Sequence, residues 1–298
     1  MVMVKGDLIA DVAFKLLSKA AVELPGDVMR LLKEAYTRES TVRGKVMLGT
    51  MIDAAEVARK EGRPLCQDTG IPMFFVTIGG KVKVKGDIRD ALARGTEKAT
   101  REVPLRENVV HPLTSRNPGT NVGWGVPYVW YDYKYDADYL EVVAALRGGG
   151  SAFATFLTVI PSGVPRLKAV KRAVIDAAAR ASYACPPLIV GVCIGGYPET
   201  AAGEAARALL RVPVGSSNPD PELASLEEEL LASVNRLGVG PAGLGGDTTA
   251  LALHVEVRGS HTALPSLAVA FSCWALRRAS ARIYADGSVE WLHPPGGE

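Results

Sequence analysis

The residues best equipped for chemistry in this 298-residue sequence are four cysteines, at positions 66, 185, 193 and 273. Cys66 follows Pro64-Leu65, Cys185 precedes Pro186-Pro187, and Cys273 leads into Trp274-Ala275-Leu276-Arg277-Arg278. These three fall where a helix or strand pattern ends. Side chains at element ends can converge from distant parts of the chain while leaving access for substrate, which is what a metal ligand set needs. Three thiolates without a fourth partner suit a four-iron cluster that keeps one iron open, much as a catalytic zinc keeps one position for water. Their separations match no local ligand motif, and dispersed structural thiols are the plainer alternative. Cys193 lies between Val192 and Ile194 in an apolar run and reads as a small core thiol.

In Cys66-Gln67-Asp68-Thr69-Gly70 the carboxylate of Asp68 is within reach of anything Cys66 binds, which makes it a candidate general acid-base group. A turn former or helix cap is the alternative. Glycines 148–150, 195–196 and 243–246 could bring backbone N–H groups close to a carboxylate, or simply make turns. None is followed by the Lys-Ser or Lys-Thr of a phosphate loop. Gly238-Val239-Gly240-Pro241-Ala242-Gly243 has the letters of a dinucleotide fingerprint, but it follows a helix pattern and precedes a strand, the reverse of the required order. Arg116, inside a long loop, is the best-placed guanidinium for a bidentate grip on a carboxylate, with a solvated loop charge as the alternative. His111, His254, His261 and His293 receive no role; His254, in a strand pattern, is expected to be a satisfied core histidine.

The elements that must position these groups follow from periodicity. Residues 41–60 carry apolar side chains at helical spacing and stop at Gly62 and Pro64, so a helix leads into Cys66. Residues 73–78 read as a strand and 81–85 alternate strictly, with Gly79-Gly80 between them, so a hairpin is expected. Residues 104–125, rich in Pro, Gly, Thr, Ser and Asn, form a long irregular loop of the kind that is commonly functional. Strands are expected at 128–133 and 139–146, and a helix from Pro165 to near Cys185. A strand buried on both faces follows at 188–194, then helices at 198–211 and 221–237, strands at 251–257 and 267–271, and a hairpin over 283–292 turning at Asp286-Gly287. With no repeat and no linker, the expectation is one α/β domain over 1–298, core about 7–283, with mixed sheets flanked by helices.

Hydrophobic residues make up 48% and charged residues 22%, and 34 basic residues nearly balance 32 acidic ones, for a net charge of +2. That balance offers no global field for nucleic acid or an anionic membrane. No apolar run is long enough to span a bilayer. The start, Met1-Val2-Met3-Val4-Lys5-Gly6-Asp7, lacks a signal-peptide core, so the cytoplasm is the expected location, where thiols stay reduced.

Several motifs, in order, resemble the α subunit of class I fumarases and L-tartrate dehydratases. Pro64-Leu65-Cys66-Gln67-Asp68-Thr69-Gly70 is the strongest. Others are His111-Pro112-Leu113-Thr114, Gly148-Gly149-Gly150-Ser151, Cys185-Pro186-Pro187, Gly195-Gly196, Gly243-Leu244-Gly245-Gly246, Thr248-Thr249-Ala250-Leu251 and Cys273. They span about residues 40–283. The resemblance implies a [4Fe-4S] cluster held by Cys66, Cys185 and Cys273. Gln67, Arg116 and the backbone around Gly149 would bind substrate, and Asp68 would transfer a proton. It implies reversible hydration of a C4 dicarboxylate, with fumarate and (S)-malate as the leading pair and L(+)-tartrate as the alternative. It also implies a separate β subunit that completes the site; the αβ pair is expected to double into an (αβ)2 assembly, because closed two-fold symmetry is the commonest arrangement of oligomers. Arg147 stands where the family commonly has lysine, Ala152-Phe153 where polar residues are common, and Asp247 where a basic residue often stands, so substrate identity is more open than reaction type. The different-class alternative is a non-catalytic thiol- or zinc-binding interaction subunit.

Overall fold

The computed structural model describes residues 3–103 and 105–292. Residues 1–2, Pro104, His293 and the remaining proline- and glycine-rich tail lie outside them. In chain order the elements are β1 (Val4–Lys5), α1 (Gly6–Val22), α2 (Gly26–Arg38), α3 (Val42–Glu61), β2 (Ile71–Gly79), β3 (Val84–Lys85) and α4 (Ile88–Glu102). After a long loop come β4 (Tyr128–Lys134), β5 (Tyr139–Arg147), α5 (Gly149–Phe153), β6 (Phe156–Val159) and α6 (Arg166–Arg180). The chain ends with β7 (Leu188–Gly195), α7 (Pro198–Ala208), α8 (Pro221–Asn235), β8 (Ala250–Arg258), β9 (Ser266–Ser272), β10 (Arg277–Tyr284) and β11 (Val289–Trp291). The fold class is α/β with mixed sheets flanked by helices, and among the described residues no helix is long and apolar enough to cross a membrane.

The chain divides into two compact units, one of Met1–Gly26, Ala54–Gly149 and Arg277–Glu298, the other of Asp27–Asp53 and Gly150–Leu276. The crossings fall at the start of α2, within α3, at the start of α5 and at the start of β10, so no linker composition marks them.

In the first unit five strands are ordered β11-β10-β5-β2-β4, with β2 and β4 parallel and the other neighbours antiparallel. One face is covered by α1, whose Ile9, Val12, Leu16 and Leu17 pack with Phe74, Val142, Ala144, Leu146, Ala279 and Ile283. Helix α4 lies against α1; a Cβ at Gly95 would stand 2.6 Å from the Ala10 carbonyl oxygen, so glycine permits the close approach. Helices α1, α2 and α4 lie beyond the elements expected from sequence, although the apolar positions of α1 do recur at helical spacing.

The expected 73–85 hairpin does not form. Strand β2 is there, but both its edges are taken by β4 and β5, so residues 81–85 have no edge to pair with. Instead Val84–Lys85 pairs in parallel with Val4–Lys5.

The second unit holds a four-stranded sheet ordered β6-β9-β7-β8. Helices α6 and α8 cover one face through Val170, Val174, Leu226 and Leu230, and α7 packs on β7 and β9, where Gly191 meets Ala205 and Ala208. Helices on both sides explain the unbroken apolar run of β7.

Candidate functional site

Antiparallel pairing of β2 with β5 sets Ile71 opposite Arg147, so the start of one strand stands beside the end of the other. The chain just before β2, including Asp68, therefore meets Gly148 and Gly149 just after β5. Asp68 Oδ2 accepts from the Gly149 N–H at 2.8 Å, and Oδ1 accepts from the Gly70 N–H at 3.1 Å and from Asn108 Nδ2 at 3.0 Å. Gly70 has φ +91, and a Cβ there would lie 2.8 Å from backbone atoms of Leu146 and Arg147, so the turn into β2 needs glycine. Arg277 Nη1 donates to the Asp68 main-chain oxygen. Cys66 and Gln67 are exposed in this segment, while Thr69 and Gly70 are buried.

The long loop is built from side-chain to backbone contacts. Buried Asn121 accepts from Asn108 N at 2.9 Å and Val109 N at 3.3 Å and donates to Thr100 Oγ1 and the Arg106 carbonyl, which ties the loop to α4. Thr69 Oγ1 accepts from Arg106 N at 3.0 Å. Arg116 is exposed and belongs to another part of the loop, 5.5 Å from the Trp124 ring centre, with His111 packed edge-on to the same ring. His111 Nδ1 accepts from Leu113 N and Thr114 N, which places the ring proton on Nε2.

In the second unit Cys185 is exposed and carries φ +54, a backbone state uncommon for residues other than glycine. Its carbonyl accepts from Trp274 N at 3.4 Å, so the segments bearing Cys185 and Cys273 run side by side. Cys273 is half-buried. The loop carrying glycines 243–246 is held by Ala242 N donating to the Pro186 carbonyl at 2.7 Å and by the buried Glu39 carboxylate, which accepts from Asp247 N at 3.0 Å. Asp247 Oδ2 in turn accepts from Ser40 N at 2.7 Å, and hydrogen bonding with the Ser40 side chain, then with its main chain, holds the Asp247 carboxyl below the usual range. Asp247 thus acts as a clamp on this loop.

Cys193 is fully buried and desolvation pushes its thiol up to about 11, as a core thiol should be. His254 is buried with both ring nitrogens engaged, Nε2 accepting from Gly215 N at 3.0 Å and Nδ1 facing the Ala208 carbonyl at 2.9 Å. No disulfide joins the four cysteines. Among the described residues, no three His, Cys, Asp or Glu side chains are gathered as a metal site. Of the glycine clusters, 148–149 reaches Asp68 and 195–196 makes a turn against Arg258. Thr69, Asn108, Asn121 and Arg277 are given no role by the sequence reading; the sign for Arg277 is an arginine pair opening the small-residue run Ala279-Ser280-Ala281.

Comparison with known proteins gives a match to the family model described as Fumarate hydratase (Fumerase) over residues 10–282. A protein of Methanocaldococcus jannaschii named "Putative L(+)-tartrate dehydratase subunit alpha" is 40% identical over 286 residues, covering 94% of this chain and 99% of that one. The L(+)-tartrate dehydratase subunit alpha of Escherichia coli (strain UTI89 / UPEC) is 37% identical, with 91% of this chain and 89% of the relative covered. The Shigella boydii protein of that name matches to the same extent.

Proposed function

Because the chain belongs to the fumarate hydratase (Fumerase) family, we propose that it is the α subunit of a two-subunit [4Fe-4S] hydro-lyase that dehydrates L(+)-tartrate. The observation that carries this reading is the likeness, over nearly the whole length of both chains, to proteins named as tartrate dehydratase α subunits. Fumarate and (S)-malate, the pair favoured from sequence, are the second reading, supported by the family description.

Cys66, Cys185 and Cys273 would hold the cluster. They are suited to it as exposed or half-buried thiols outside any disulfide, whereas Cys193 is sealed and protonated. When bound, such a cluster supplies Lewis-acid polarisation of the substrate hydroxyl and carboxylate. Asp68, two residues from Cys66, holds or moves a proton at its carboxylate, oriented by Gly149, Gly70 and Asn108. Gln67 and Arg116 offer donors for the substrate carboxylates, Arg116 in bidentate fashion. The β subunit contributes the base and the remaining substrate contacts, in an (αβ)2 complex in the reducing cytoplasm.

The test is anaerobic co-expression with the β subunit followed by steady-state assays on L(+)-tartrate, the other tartrates, fumarate and (S)-malate. The expected result is a brown protein with its highest kcat/KM on L(+)-tartrate. Preference for fumarate would install the second reading. A colourless, zinc-loaded protein without hydro-lyase activity would replace both with a thiol- or zinc-binding interaction subunit.

A further inference from the structure

We propose that Arg277 is the positioning residue for Asp68: it fixes the main chain at Asp68 and, across Gly148, confines the side chain to the orientation it uses in proton transfer. The inference rests on the acid-base reading of Asp68 above. Arg277 opens β10 opposite Leu146 of β5, and only 3% of it is exposed. A buried guanidinium is expensive unless acceptors surround it, and an apolar residue beside Leu146 and Ala279 would pack more cheaply. What the buried cation does contact is Asp68, through the bond from Nη1 to the main-chain oxygen, while its Nε has no partner among the described residues. A buried cation placed where an apolar side chain would pack more cheaply points to a role other than packing.

Gly148 supplies the second observation. A Cβ there would stand 2.9 Å from Arg277 Nη2 and 3.1 Å from Asp68 Oδ2, so the missing side chain is what lets the guanidinium and the carboxylate share this corner. The donors on the carboxylate, from Gly149, Gly70 and Asn108, set its rotation. They do not hold the Asp68 backbone, which lies outside the sheet because β2 begins at Ile71. Arg277 provides that tie from a rigid strand. A proton-transfer group displaced by about 1 Å loses on the order of 10²-fold in rate, so the tie acts on kcat.

The experiment uses the αβ complex with matched iron content and whichever diacid it turns over, comparing R277M, R277K, G148A, D68N and the R277M/D68N double variant. R277M is expected to lower kcat about 10²-fold with KM changed by less than about threefold. R277K, whose ammonium can still donate one bond, should recover roughly a tenth of wild-type turnover. G148A should resemble R277M in direction. The double variant should be no slower than D68N alone, because both changes act through one group. In hydrogen exchange, R277M should expose the Gly149 and Gly70 amides while the middle of β5 and β10 stays protected. Multiplying defects in the double variant, or loss of protection throughout β5 and β10, would overturn the proposal. D68N separates the two possible failures. Full turnover in D68N removes Asp68 from the reaction and this inference with it, whereas a slow D68N beside a normal R277M overturns the role of Arg277 alone.

Discussion

Around Asp68 the chain makes its own arrangements, with backbone amides, an asparagine and a buried arginine converging on one residue, whereas around Cys185 and Cys273 it aligns two segments by a main-chain bond and leaves the thiols at the surface or half-buried. The difference matches the two tasks proposed for them. A proton-transfer group works only if its geometry is set before substrate arrives, so its supports are covalently part of the protein. Metal ligands are drawn into place by the metal, so their supports need only bring the thiols near and keep them accessible.

The largest expected effects test the ligand side of this comparison. Cys66→Ser, Cys185→Ser or Cys273→Ser should each abolish iron retention and turnover after anaerobic reconstitution, while Cys193→Ala keeps the iron. A variant set in which Cys193→Ala loses iron and one of the other three does not would break the assignment. On the other side, Asp68→Asn should keep its iron yet turn over about 10²-fold more slowly, the scale for losing a positioned acid-base group. Equal rates at matched iron content would show that the preorganised region is not where the proton moves.

Smaller effects probe the supports. Gly70→Ala puts a Cβ into the Leu146 and Arg147 backbone at positive φ and should destabilise the chain by at least about 2 kcal/mol, read as a lowered unfolding midpoint. Tolerance of alanine there would mean that the approach of β2 to β5 is looser than it looks. Smallest is a pH effect from Cys193. Its thiol is raised from 9.0 to about 11 by desolvation, so the folded chain holds this proton more tightly than the unfolded one. The associated stability is present below pH 9 and lost as pH climbs toward 11; Cys193→Ala should flatten that fall, and an unchanged slope would count against a sealed thiol.

Much of the second unit could be read directly from residue patterns. The run from Leu188 through Ile194 is apolar at every position because helices lie on both faces of β7, and Cys193 and His254 are buried as that pattern implies. The hairpin over 73–85 misled because strict alternation in Lys81-Val82-Lys83-Val84-Lys85 states only that a segment favours extended backbone. Which edge it joins depends on whether one is free.

By itself, then, the sequence determined the family, the elements around each cysteine, the placing of Asp68 two residues from Cys66, and the burial of Cys193, because these are local patterns or ordered motifs along one chain. The distant partners of Asp68 were decided by tertiary structure alone. Gly149, Asn108 and Arg277 are far from it in sequence and reach it only because β5 runs antiparallel to both β2 and β10 and because Asn121 folds the long loop back onto α4. Register between strands follows from core packing and available edges, and no local pattern records it.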